Sequence, residues 1–434
     1  MTPAILLLMH QGRSFVEEIA EIAHARGMAL VAVSSRPERD EVFQKNRGFL
    51  DGCIVTDSQH LQMGEVENAA SRFSLEGYDL RAVLATFEAY RLFMAKMNQM
   101  LGARDCAPDS LRICLDKFEL RRTLRSLGLS EVRSHRTDDG TELDLDPAVR
   151  WFVKPVRGAG SFACFLIESR DDLRDLTALR QQMQNDHQMS AIFMGQFDFT
   201  IEEYVEGPEF SFEIVAAERP ITLCVHEKAK VDRLRRTTLE SMSVSPAISL
   251  SAKEITAGAD FVAQCLSALN LNAGAFHVEA KYWISRRRWE IIEINPRMGG
   301  SLIGASISAI TGVSMLALWI DSLLYRDQAL PELRQQIEQA SQLRSASASG
   351  PSEATVFLSM YGEKGRTIRS ISFDPGSRPP DVLKIHFQSG DMLDDSDRAI
   401  ALMDALWQVR QADLRDEVDL LANLAKDQFH VTYL

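Results

Sequence analysis

Apolar positions near the start of the chain fall into short runs separated by one helically periodic stretch. Residues 4–9 form an unbroken apolar run of strand length, and Gly12 precedes a 3.6-periodic segment over 14–26 that Gly27 ends. Residues 28–33 supply a second apolar run. Strand, loop, helix, strand is the opening of a parallel sheet, which 52–55 and 82–85 continue, with the amphipathic stretch 87–101 as a covering helix. Asp116 can cap a helix over 117–127 that Gly128 stops. From Trp151 the pattern turns to short β-rich runs at 151–156, 164–168, 200–204 and 210–216, an α+β region rather than more parallel sheet. The small-residue stretch 341–352 reads as a flexible surface connection before a last α/β segment. The fold class is therefore α/β and α+β, multidomain, with expected units at 1–110, 111–206 and 207–434.

Composition narrows the function. Hydrophobic residues make up 45% and charged residues 25% of 434, so most of the chain should fold. Lys and Arg total 48 against 61 Asp and Glu, a formal charge of −13 that opposes nucleic-acid binding and favours small-molecule partners. Six cysteines, at 53, 106, 114, 164, 224 and 265, form no Cys-x-x-Cys pair, so reduced thiols are expected. The run 4–9 has no basic flank and is far shorter than the roughly 20 residues of a membrane span. No membrane association is expected, and the location is read as cytoplasmic.

The segment 277–297 carries the chemistry. Two β-rich runs, 277–284 and 289–297, flank the polar turn Ser285-Arg286-Arg287-Arg288, which predicts a hairpin with a solvated basic tip. A turn centred near Arg286 sets Glu279 opposite Glu293, and Asn295 follows on the same face because the strand period is two. Like charges directly opposite destabilise a sheet, and a bound cation resolves the conflict. Magnesium suits carboxylate and amide oxygens together with substrate phosphates. The alternative is an exposed hairpin in another register with solvated glutamates.

Arg297 is placed to clamp an oxyanion, and Gly299-Gly300-Ser301 before a small-residue helix offers backbone N–H groups to an anion. A surface ion pair is the plainer reading of Arg297. Upstream, Lys154 leads into Arg157-Gly158-Ala159-Gly160-Ser161, a loop that can wrap phosphates; it is not a P-loop. The run Ile201-Glu202-Glu203-Tyr204-Val205 ends in an acidic crossover, where backbone groups can meet an adenine edge and Glu209 a ribose hydroxyl. Residues 228–246, with Arg233, Arg235 and Arg236, lack evident periodicity and read as a mobile cover over the acceptor side. His226 ahead of them either orients an amine or is a satisfied structural histidine.

The ordered set Lys117, Lys154 with its glycine loop, Glu202–Val205, Glu209, Glu279 and Glu293-x-Asn295-x-Arg297 resembles the ATP-grasp superfamily over about residues 110–315. The N-terminal α/β unit is similar to the domain that precedes the ATP-grasp core. The resemblance implies that Lys117, Lys154, Gly158, Gly160 and Ser161 meet ATP phosphates, and that Glu202, Glu203, Tyr204 and Val205 hold adenine. It further implies that Glu209 holds ribose and that Glu279, Glu293 and Asn295 bind two magnesium ions, with manganese as a substitute. Arg297, Gly300, Ser301 and His226 would then serve catalysis. The run Glu-Ile-Asn-Pro-Arg-Met-Gly-Gly resembles that of carboxylate–amine ligases acting on amino acids, which implies a carboxylate and an amine as substrates. The other readings are a biotin-carboxylase-like or purine-pathway carboxylase and an ATP-binding protein without turnover. A homodimer fits the size. Two departures from the family pattern are Phe162-Ala163 after the glycine loop and the absence of a proline in Gly128–Val132.

Overall fold

The computed structural model describes residues 1–137, 145–186, 190–233, 236–325, 330–345, 353–376, 378–395 and 398–434. The N-terminal unit is a parallel sheet of β1 (Thr2–Met9), β2 (Ala29–Ser34), β3 (Gly52–Val55) and β4 (Tyr78–Leu84) in the order β3-β2-β1-β4. Its central strands are buried on both faces, which explains their unbroken apolar runs. Helix Val16–Ala25 joins β1 to β2, and helix Arg91–Leu101 follows β4 after the short turn Glu88–Tyr90.

A small antiparallel sheet comes next, with β5 (Ser134–Thr137), β6 (Trp151–Pro155), β7 (Phe165–Leu166) and β8 (Phe199–Glu203) ordered β5-β8-β6-β7. Helix Lys117–Ser126 leads into it, capped as expected by the Asp116 side chain, which accepts from the Glu119 N–H. The strand expected over 164–168 contracts to β7, because Ser161 and Ala163 take left-handed φ of 53° and 49° and Phe162 turns into the small core against Phe193.

The rest of the chain adds β9 (Glu209–Ala217), β10 (Pro220–Arg233), β11 (Thr238–Ser245), β12 (Ala273–Trp283), β13 (Arg288–Asn295), β14 (Glu353–Tyr361), β15 (Ile368–Phe373), β16 (Val382–Ile385), β17 (Ala401–Arg410) and β18 (Phe429–Tyr433). Eight of these form one antiparallel sheet ordered β13-β12-β9-β10-β11-β14-β17-β16, and β15 pairs with β18. The last segment thus extends the central sheet. The stretch 346–352 lies outside the described residues.

Residues 228–246 are not the aperiodic cover expected. They build the β10–β11 hairpin, in which Ala229, Val231, Met242 and Val244 alternate with polar neighbours at the period of two that defines a strand. Arg235 lies outside the described residues. The basic tip of the β12–β13 hairpin is also tied down rather than merely solvated. Arg286 Nη2 donates to Glu203 at 2.8 Å and stacks on Trp283, while Arg288 pairs with Glu131 and Glu290. No single helix among the described residues is long and apolar enough to cross a membrane.

Candidate active site

The small sheet and the β12–β13 edge of the large sheet enclose a cavity of about 280 Å³. Its floor is the predicted hairpin. Glu279 stands opposite Glu293 and His277 opposite Asn295 in antiparallel register, so both carboxylates and the amide lie on the cavity side. Asn295 Nδ2 donates to Glu293 Oε1 at 2.8 Å, which turns its amide oxygen away from that carboxylate. The set Glu279, Glu293 and Asn295 offers hard oxygen donors, and such donors fit magnesium.

Cations already face these carboxylates. Lys117 Nζ lies 3.0 Å from Glu293 Oε2, and Lys228 Nζ lies 3.1 Å from Glu279 Oε1. Burial disfavours the charge on Lys117, but Glu293 and Glu88 outweigh it and raise its pKa. Lys154 is equally buried, yet its pKa falls, because burial outweighs the attraction of Glu202 while Arg121 and Lys117 add repulsion. Its ammonium donates to the Ile292 carbonyl and pairs with Glu202 Oε2, both at 2.9 Å.

Glu202 also pairs with Arg121 at 3.0 Å through the same oxygen, and Oε1 is left buried without a hydrogen-bond partner among the described residues. A buried carboxylate oxygen in that condition is a vacancy for a donor. The Glu203 carboxylate departs from expectation. Strand alternation sends it to the far face, where Arg133 and Arg286 take both oxygens, so only its backbone borders the cavity. Tyr204 and Val205 line the same wall. Gly207 lets the crossover pass β12, since a Cβ there would sit 2.0 Å from the Tyr282 carbonyl oxygen.

Gly158, Gly160 and Ser161 line the cavity opposite the hairpin. The hydroxyl of Thr237 at the β10–β11 tip donates to the Ser161 carbonyl at 2.9 Å, and Ala399 N–H to the Gly160 carbonyl at 3.1 Å. Arg297 and Gly300 complete the mouth. Ser301 does not line it, because its hydroxyl donates to Asp404 on β17. His226 is likewise displaced. It is fully buried behind the cavity, 2.8 Å from the Ser306 hydroxyl, and burial lowers its pKa to about 4. It does not line the cavity, and its Nδ1 is buried with no hydrogen-bond partner among the described residues.

Sequence reasoning missed His277, Lys228, Lys281 and Glu240. Glu209 pairs with Lys281 at 3.2 Å, and Glu209, Glu240 and Glu279 cluster around the ammonium of Lys228. Burial pushes Glu240 up to about 7 against the pull of Lys228, with Glu279 and Glu209 adding to the rise. Burial would lower His277, but Glu213 at 2.7 Å and Glu279 at 3.2 Å raise it to about 10. Lys228 and Glu240 meet because the β10–β11 pairing shifts register between Lys228 and Val231, an irregularity that strand alternation in the sequence does not mark.

Residues 148–305 match the family model of the ATP-grasp domain. That match spans 158 of the 434 residues, so this segment is similar to an ATP-grasp domain. Over 129 residues it is 27% identical to D-alanine--D-alanine ligase A of Clostridium perfringens, a match covering 29% of this chain and 39% of that protein. Among solved structures, an L-amino acid ligase from Bacillus licheniformis superposes with a TM-score of 0.77 at 18% identity, covering 100% of both chains. A Campylobacter jejuni biotin carboxylase superposes at 0.63 and 14%, covering 99% of this chain and 92% of that one. At these identities the structural likeness establishes the fold: an ATP-grasp core with a parallel α/β unit ahead of it.

Proposed function

We propose that this chain is an ATP-dependent carboxylate–amine ligase that takes an amino acid as a substrate and releases ADP and phosphate. The observation that carries the reading is the register setting Glu279 against Glu293, with Asn295 and Arg297 following, in a cavity that Lys117 and Lys154 also line.

A carboxylate is a poor electrophile, so amide formation in water needs an activated acid. Transfer of the γ-phosphoryl group to the carboxylate oxygen gives an acyl phosphate, and attack by the amine then expels phosphate. Such transfer is largely positioning and charge neutralisation. Lys117 and Lys154 offset phosphate charge, and the N–H groups of the Gly158–Ser161 loop orient the phosphates. The backbone at Tyr204 and Val205 meets the adenine edge, Glu202 Oε1 accepts from its amino group, and Glu209 accepts from ribose. Glu279, Glu293 and Asn295 would hold one or two magnesium ions, or manganese, whose charge would offset that of the phosphates. Arg297 and the backbone at Gly300 face the oxyanion of the acyl phosphate and of the tetrahedral adduct.

Likeness to the L-amino acid ligase over the full length of both chains supports amide formation. Likeness to biotin carboxylase supports a second reading, activation of bicarbonate. Phosphate release from ATP and magnesium, measured against single and paired amino acids, separates the two. The ligase reading expects release that needs a particular pair, with a product whose mass is their sum minus water. Release with bicarbonate and one acceptor instead would favour the carboxylase.

A further inference from the structure

The turn that carries Arg297 is gripped from the N-terminal unit by two residues of one helical element. Glu88 and Arg91 lie three apart where the turn Glu88–Tyr90 runs into helix Arg91–Leu101, a spacing that puts both side chains on one face. Arg91 is 1% exposed, and its Nη atoms fork onto Asp105 at 3.0 and 2.8 Å. Its Nε donates to the Pro296 carbonyl at 2.5 Å. With Nε and both Nη atoms engaged, this guanidinium is a fixed anchor. Glu88 Oε2 lies 3.4 Å from Arg297 Nε, and that oxygen is buried with no hydrogen-bond partner among the described residues. Arg297 Nη1 donates to the Met298 carbonyl at 3.0 Å, so the guanidinium is held both at Nη1 and on the Nε edge.

We propose that Glu88 is a positioning residue for Arg297, setting the plane of its guanidinium toward the cavity while Arg91 fixes the adjoining Pro296. The inference rests on the reading that Arg297 meets the reacting oxyanion. A buried carboxylate oxygen without a hydrogen bond is costly. The 3.4 Å pair is loose, and an oxyanion held at the Nη end of the guanidinium would settle Nε onto Glu88, as catalytic contacts tighten around their substrates. Arg297, Lys117 and Arg157 are the cations that oppose the rise burial imposes on the Glu88 carboxyl, which ties its charge to the site it serves.

The test uses the full chain and the variants E88Q, E88D, R297A and E88Q/R297A. The first readout is hydrogen exchange at the Arg297 Nε–H, assigned by its disappearance in R297A. Exchange should quicken by about tenfold or more in E88Q and recover partly in E88D, which restores the charge. Unchanged exchange in E88Q overturns the proposal. The second readout is phosphate release with the best substrate pair. E88Q should lower kcat by about ten- to a hundred-fold with ATP affinity unmoved, and should cost nothing further in the R297A background. Equal losses in both backgrounds overturn the positioning role. Full turnover in R297A would remove the catalytic reading of Arg297 itself, an outcome distinct from unchanged exchange in E88Q.

Discussion

Single side chains at this site are defined by what opposes their charge. Lys154 is held between one carboxylate and two cations, so on the proposed function a bound phosphate would add the charge that favours its ammonium. Lys154→Met should therefore weaken ATP binding by about ten- to a hundred-fold, read by titration calorimetry. Glu293→Gln keeps the shape of the donor set and removes its charge. Phosphate release should fall by about 100-fold or more, with the fold intact by circular dichroism. His226 gives a pH signature of stability. It stays neutral in the folded chain down to about pH 4 against 6.5 when unfolded, so acidification protonates the unfolded chain first. Its contribution is full above 6.5 and is lost between 6.5 and about 4, up to about 3 kcal/mol. Urea midpoints from about pH 7 to pH 4.5 should fall more steeply for the wild type than for His226→Gln, and equal slopes would contradict the assignment.

Elements show where the sequence was readable. The β12–β13 hairpin was legible down to its register, because a turn bounded by two β-rich runs leaves few pairings and Glu279, Glu293 and Asn295 share a parity. Helix Lys117–Ser126 was legible from its Asp116 cap and its Gly128 stop. The β10–β11 hairpin was not, since its arginine-rich tip masked the alternation in its arms, and Lys228 and Glu240 went unnoticed with it. Contacts between distant segments were beyond any local pattern. Arg121, Glu202 and Glu290 come from three elements and form a buried ion network that ties the linker helix to both sheets. Arg121→Met would leave Glu202 and Glu290 short of a counter-charge and should cost about 3–5 kcal/mol in a denaturation titration. Gly207→Ala should destabilise by about 1–3 kcal/mol for a different reason, the clash with the Tyr282 carbonyl at a φ of +146°.

At the scale of the molecule, two sheets enclose the cavity and the N-terminal unit supports the turn at its mouth, and each supplies something the others lack. The small sheet brings the glycine loop and Lys154, the large sheet brings the acidic hairpin, and the N-terminal unit reaches the Arg297 turn through Glu88 and Arg91. The fold class was legible because the switch from apolar runs to alternating strands is written in the chain. The substrate pockets were not, because acid and amine meet side chains that no spacing marks. The most direct test of the account follows oxygen. An acid substrate bearing heavy oxygen in its carboxylate is turned over with ATP, magnesium and an amine, and the released phosphate is weighed by mass spectrometry. Activation through an acyl phosphate predicts that one labelled oxygen per turnover appears in the phosphate. Label retained entirely in the organic product would contradict it.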